Sequence, residues 1–182
     1  TAGAALLIWF FIPDAKIKEN VSSPFKGIVE VLKSRSAWLQ AVIVVCAYCG
    51  YRGLDFYALY GVEVLGMDEV SSARFMSNAT YLRAVGAIGA GFIADRLTTK
   101  KVIVSTFILL LLSYFVLLIF SENEHAVLIV FASLVISILA VYALRGVYFA
   151  LFEETRVPTN ITGTTVGLVS LVGFTPDIFF NS

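Results

Sequence analysis

Blocks of apolar residues alternate along this chain with short polar segments, and the blocks set the predicted elements. VIVSTFILLLLSYFVLLIF at 102–120 and AVLIVFASLVISILAVYALRGVYFALF at 126–152 are near-continuous. Each is about the 20 residues needed to cross the hydrocarbon core of a bilayer as a helix. By the same rule the chain predicts further spans at 37–62 and 71–95, a partial helix at 1–12, and a last, cut span over 162–182. A polar connection at 13–36 separates the first partial helix from the rest. The other loops are short, so neighbouring spans should run antiparallel.

Inside the long connection, SSPFKGIVEVLKS reads as a helix lying on a membrane surface. Ser23 supplies a cap, and Pro24 falls at the first helical position, where its missing N–H costs nothing. Phe25, Ile28, Val29 and Leu32 recur at i, i+3, i+4 and i+7, with Lys26, Glu30 and Lys33 on the other face.

Composition supports the membrane reading. The chain is 59% hydrophobic and 14% charged, with a mean hydropathy of +0.89. Soluble domains carry about 25% charged residues, enough to cover their surface. A formal net charge of zero gives no electrostatic case for nucleic acid. The opening TAGAALLIWFFIPDAKIKEN lacks the basic leader and cleavage site of a signal peptide and reads as the end of a span, so a fragment is expected. Cys46 and Cys49 lie on adjacent turns of an apolar helix with nothing to lower a thiol pKa, and read as small packing residues. His125 is the single histidine, so neither a metal site, a cofactor nor a catalytic cluster is expected. The chain does not read as an enzyme.

Sidedness follows from Lys and Arg. The connection 13–36 carries Lys16, Lys18, Lys26, Lys33 and Arg35, the turn after 95 carries Arg96, Lys100 and Lys101, and the loop after 152 carries Arg156. The intervening loops around 63–70 and 121–125 carry none. The alternation places every loop cation on one side, the expected cytoplasmic face.

Four arginines fall within the predicted spans: Arg52, Arg74, Arg83 and Arg145. Each costs about 2.5–3.5 kcal/mol at a bilayer centre on insertion scales. Arg74, in the first turn after a loop, can snorkel. Arg83 is twelve residues from each end of its span, about 18 Å at 1.5 Å per residue. Its helical neighbours Ala79, Thr80, Gly86 and Ala87 include no acid, so its counter-charge must come from another helix or from a ligand. Arg52 has Asp55 at i+3 as a ready partner. Arg145 is expected to snorkel to the inner interface. The embedded charge is mainly positive, which points to an anionic small-molecule substrate. Tyr48, Tyr51 and Tyr81 are expected as aromatic donors near such a cavity.

The turn GFIADRLTTKK joins two spans with Gly91, Asp95, Arg96, Lys100 and Lys101 in fixed order. Gly91, with Gly86, Ala87 and Ala90, is read as a small-residue face for close helix approach. Asp95 can accept from another helix's N-terminus or from a nearby arginine. Gly163, Gly167 and Gly173 are read as close-packing and bending positions in the last span.

These residues resemble the inter-helix motif of the major facilitator superfamily. The connection 13–36 is similar to that family's central linker. The resemblance implies an all-α membrane helical bundle running from the end of span 6 (1–12), through the linker (13–36), to a C-terminal bundle (37–182) ending within span 11. It implies alternating access about a midplane site, a partner N-terminal half, and a gating role for Gly91, Asp95, Arg96, Lys100 and Lys101. The segment YRGLDFYALYGVEV further resembles the seventh span of organophosphate/phosphate antiporters and anion:cation symporters, with a shorter Arg-to-Asp spacing. The expected protein is a multi-pass transporter of a bacterial inner or plasma membrane carrying an organic or phosphorylated anion. The expected contacts are Arg83, Arg52, Asp55, Tyr48, Tyr51, Tyr81 and Arg145. A proton-coupled sugar or drug carrier of the same superfamily is the alternative.

Overall fold

The computed structural model describes residues 9–10, 24–120, 126–154 and 161–180. All regular structure there is helical. Helix α1 (Pro24–Lys33) is followed by α2 (Arg35–Gly53), a 3₁₀ turn at Leu54–Phe56 and α3 (Tyr57–Glu63). Next come α4 (Glu69–Ala79), α5 (Leu82–Arg96), α6 (Thr99–Phe120), α7 (Val127–Val147) and α8 (Leu151–Glu154). Helices α9 (Thr162–Gly173) and α10 (Pro176–Phe180) close the chain.

Among the described residues, four segments have the length and hydropathy to cross a membrane: Arg35–Glu63, Thr99–Phe120, Val127–Val147 and Thr162–Phe180. The span expected at 71–95 departs from this. It divides at Thr80–Tyr81, and its first part, α4, carries Ser71, Ser72, Arg74, Ser77 and Asn78. The division has a backbone cause. The amides of Thr80, Tyr81 and Arg83 donate to the carbonyls of Ser77, Asn78 and Thr80 at 3.2, 3.0 and 3.1 Å. Each is an i→i−3 bond, so the helix tightens locally into 3₁₀ geometry.

Helix α7 is the axis of the packing. Val130, Leu134, Ile138, Val141 and Leu144 recur at helical spacing and are all buried. Helices α5 and α6 both lie along it, and α2 crosses it on another face. The α5–α7 crossing is closest at Gly146 and Gly86. A Cβ built on Gly146 would stand 2.9 Å from Ala87 Cα, and one on Gly86 would stand 3.0 Å from the Leu139 carbonyl oxygen. Tyr57 and Ser137 add a buried polar tie between α3 and α7, Oη to Oγ at 2.8 Å. Ser137 Oγ also lies 2.8 Å from the Leu134 carbonyl oxygen, to which it donates.

Helices α9 and α10 pack on α2. Gly173 accommodates Val44 so closely that a Cβ there would overlap its side chain. The expectation for Gly91, Gly163 and Gly167 is not met among the described residues, since a Cβ on any of them has nothing within 4 Å. Spacing alone could not tell which face of each helix meets a neighbour.

The surface helix forms from Pro24 as expected; Ser23 lies outside the described residues. Its buried side is the Gly27–Val31 face, with Gly27 toward Ile161 and Thr164 of the α9 start. The stripe residues Ile28, Val29 and Leu32 remain exposed. Ser34 caps α2 by accepting from the Ala37 amide at 3.4 Å, and the Trp38 indole donates to the Leu32 carbonyl at 2.8 Å. These bonds fix the angle between α1 and α2.

Candidate functional site

A cavity of about 400 Å³ opens among α2, the Leu54–Phe56 turn, α3, α4, α5 and α7, lined by Tyr51, Leu54, Asp55, Ala58, Met76, Ser77, Thr80, Arg83 and Tyr142. Two helix irregularities border it. The 3₁₀ turn at Leu54–Phe56 interrupts the α2–α3 span, and the tightened turn at Thr80–Tyr81 interrupts the α4–α5 segment. In 3₁₀ geometry side chains at i and i+3 eclipse. That places Ser77, Thr80 and Arg83 in one row along the wall.

The same geometry brings Arg52 Nη1 to Asp55 Oδ2 at 2.7 Å, the pair expected from their spacing. Arg52 has a second carboxylate that was not expected. Its Nε lies 3.0 Å from Asp177 Oδ1 in the last helix. Tyr48 steadies Asp177 by donating toward both oxygens, 3.0 Å to Oδ1 and 2.9 Å to Oδ2. Helices α2 and α10 are thereby tied by an Arg–Asp–Tyr cluster. Phe174 packs edge-on against the Tyr48 ring at 4.9 Å.

Arg145 packs over two tyrosine rings. Its guanidinium carbon lies 3.9 Å from the Tyr51 ring centroid and 5.8 Å from that of Tyr48. The electron-rich faces of the two rings attract the cation. Tyr81 is corrected. It is exposed and is not among the cavity residues. Two residues of helix separate it from Arg83, roughly 200° around the axis, so it points to the opposite side.

Arg83 makes no ion pair among the described residues. The acid nearest in role is Asp55, which lines the same cavity with one oxygen engaged by Arg52. Asp55 also lines a second cavity of about 370 Å³ with Ala58, Leu59, Val62, Glu69 and Ser72. It thus stands where the two spaces meet.

The sequence reading did not select Ser77, Thr80, Tyr142 or Asp177. A period-three row of polar residues ending in Arg83 was the available signal for the first two. Asp177 stands out only as a carboxylate within an apolar span, and its partner Tyr48 lies 129 positions away.

At the polar end of the bundle, Glu154 occupies the N-terminus of α6. Its carboxylate accepts from the amides of Thr99 and, at 3.3 Å, Lys100. Hydrogen bonding from Thr99 and Lys100 holds its pKa below the ordinary carboxylate value. Asp95, read as a candidate for such an acceptor role, is exposed, as are Arg96, Lys100 and Lys101. No ion pair joins these motif residues among the described residues.

Four segments of membrane length and a polar cavity bordered by two helix irregularities mark a membrane-embedded helical protein. Residues 1–179 match the Major Facilitator Superfamily, and the chain belongs to that family. It is an all-helical, multi-pass integral membrane protein of a family of transporters, which are generally not enzymes. It is similar to the inner membrane protein YqcE of Escherichia coli, 30% identical over 185 residues, covering 96% of this chain and 43% of that protein. It is also similar to the Escherichia coli inner membrane protein YihN, 27% identical over 166 residues, covering 89% and 39%. An uncharacterized protein of Mycoplasma pneumoniae is 25% identical over 145 residues, covering 72% and 65%. The chain therefore spans less than half the length of the two Escherichia coli relatives. No solved structure matches it.

Proposed function

We propose that the chain is the C-terminal part of a secondary active transporter that carries a small organic or phosphorylated anion across a bacterial inner membrane by alternating access. The observation that carries this reading is Arg83, a guanidinium lining a polar cavity with no ion pair among the described residues. A guanidinium in the wall of a polar cavity is a ready bidentate partner for a ligand's acid group. Arg52 is satisfied internally by Asp55 and Asp177 and Arg145 by two tyrosine faces, so both frame the site and Arg83 contacts the ligand. Residues 13–36 are the linker to the N-terminal half, and Gly91, Asp95, Arg96, Lys100 and Lys101 act in gating. The likeness of YRGLDFYALYGVEV to anion-carrier spans fits the same cargo.

The test is uptake by the complete protein in proteoliposomes, with a panel of organic acids, phosphate esters and neutral sugars. Anions should be carried, and Arg83→Ala should abolish their uptake while the protein remains folded. Anion uptake unchanged in Arg83→Ala, or preferential uptake of neutral sugars, would contradict the reading.

A further inference from the structure

Helices α5 and α6 each lie along α7 and meet mainly through it. Between them runs a groove of about 480 Å³ that shares no lining residue with the Arg83 cavity. Gly86, Gly89 and Ala90 of α5 and Ala140 and Ala143 of α7 give it small walls. Val85, Ile93 and Leu109 line it as well and are exposed. Its two hydroxyls are engaged within α6, where Ser105 and Thr106 donate to the Val102 carbonyl at 3.0 and 2.7 Å. The groove therefore presents carbon to an occupant and no free side-chain donor.

Its place and length are those of a lipid chain. On α7, Val141 faces α2, with its Cγ2 3.4 Å from a Cβ built on Gly50. Leu139, Ala140 and Ala143 lie roughly 100–160° around the axis from Val141, so the groove opens on the side turned from α2. Its walls, 85–93 and 102–109, advance about 12 and 10 Å at 1.5 Å per residue, against about 15 Å for half of a hydrocarbon core. An empty groove would forfeit the dispersion contacts of its lining.

Both walls end on a cation. One turn beyond Ile93 on α5 is Arg96, and one turn before Ser105 on α6 is Lys101. Both are exposed, and neither makes an ion pair among the described residues. Asp95, the acid of this turn, lies roughly 100° around α5 from Arg96. Glu154 already accepts from the Thr99 and Lys100 amides, so a second anion here meets side chains and not the end of α6. Another helix of the protein would fill the groove with carbon, but the cations at its mouth call for an anion as well. An anionic phospholipid supplies both in one molecule.

We propose that the groove between α5 and α6 binds one anionic phospholipid, with an acyl chain along 85–93 and 102–109 and the headgroup held by Arg96 and Lys101.

The test is photocrosslinking of the complete protein in phosphatidylcholine vesicles that hold a minor share of a lipid with a photoreactive acyl chain. The probe is either phosphatidylglycerol or phosphatidylcholine, and labelled residues are mapped by mass spectrometry. The phosphatidylglycerol probe should label 85–93 and 102–109 at least about fivefold more than the phosphatidylcholine probe, the factor expected from one cation near a charged headgroup. The stretch 111–118 of α6, where Leu111, Phe115 and Leu118 are exposed, is the reference, and both probes should label it alike. Arg96→Gln combined with Lys101→Gln should bring the ratio in the groove near one. Gly89→Leu places a side chain where a Cβ meets nothing within 4 Å, and should cut labelling of the groove by both probes several-fold while sparing 111–118. Thermal unfolding shows that the variants are folded.

Equal labelling of the groove and of 111–118 by both probes would mean ordinary bilayer contact and overturn the site. A phosphatidylglycerol preference that survives the double substitution overturns the headgroup assignment. Groove labelling unchanged in Gly89→Leu overturns the placement of the acyl chain. A groove that takes no label is covered by the rest of the protein, which overturns the proposal as a whole.

Discussion

Replacing Gly146 by alanine tests whether α5 and α7 are held as closely as the site requires. The new Cβ would stand 2.9 Å from Ala87 Cα, 3.0 Å from its carbonyl oxygen and 3.1 Å from its Cβ. Carbon contacts settle at about 3.5–4.0 Å, so the helices must part by about 0.5–1 Å. The obstructing atoms belong to the backbone and first side-chain carbon of α5, and none can rotate away. Overpacking of this kind costs about 1–3 kcal/mol, against a gain of up to about 1 kcal/mol from exchanging a helical glycine for alanine. The expected net loss is about 1–2 kcal/mol. Thermal unfolding of the purified complete protein measures it, with Gly89→Ala as reference because a Cβ there meets nothing within 4 Å. Because α5 carries Arg83 and α7 carries Tyr142, Gly146→Ala should also weaken ligand binding while Gly89→Ala does not. A Gly146→Ala protein as stable as the Gly89→Ala protein would refute the close crossing.

Other expectations follow from single contacts. Tyr57→Phe should destabilise the protein by about 0.6 kcal/mol, and by no more than about 1.7, the range for hydrogen bonds between membrane helices. A double-mutant cycle with Ser137→Ala should return most of that as coupling energy, and additive losses would count against the Tyr57–Ser137 bond. Tyr48→Phe removes the donor to Asp177 and should lower stability by about 0.5–1.5 kcal/mol. It should also spare the Arg52–Asp55 pair, which mutant cycles can check. Glu154→Gln should lower the unfolding temperature. Its carboxyl has a depressed pKa in the folded protein, so its stabilisation is complete above the unfolded carboxylate value and is lost as pH falls through the folded one. A wild-type unfolding temperature whose fall on acidification is unchanged by Glu154→Gln would show that the cap contributes nothing.

The membrane architecture was legible because its cause is local. Among the described residues, the apolar blocks at 37–62, 102–120, 126–152 and 162–180 became segments of membrane length, and α7 emerged as the most buried because both its faces are apolar. The Arg52–Asp55 pair was legible for the same reason, since three residues of chain bring the two groups together. Contacts between distant segments were not. Asp177 reaches Arg52 and Tyr48 only because α9 and α10 pack on α2, a fact that no spacing in the sequence encodes. The helix divisions at Leu54–Phe56 and Thr80–Tyr81 were missed because apolar length reports a span and not its continuity. The second division decides the site, since it aligns Ser77 and Thr80 with Arg83 and leaves Tyr81 on the far side. Gly91 shows the converse: it was assigned to close packing from its motif, and among the described residues its Cβ position meets nothing within 4 Å.

The central claim is that Arg83 receives the negative group of the cargo. A high-resolution structure of the complete protein bound to an anion it transports measures this directly. The account predicts an acid oxygen about 2.7–2.9 Å from the Arg83 guanidinium, the range of charge-assisted hydrogen bonds. An Arg83 tied to a fixed carboxylate of the protein, with the bound anion held elsewhere, would contradict it.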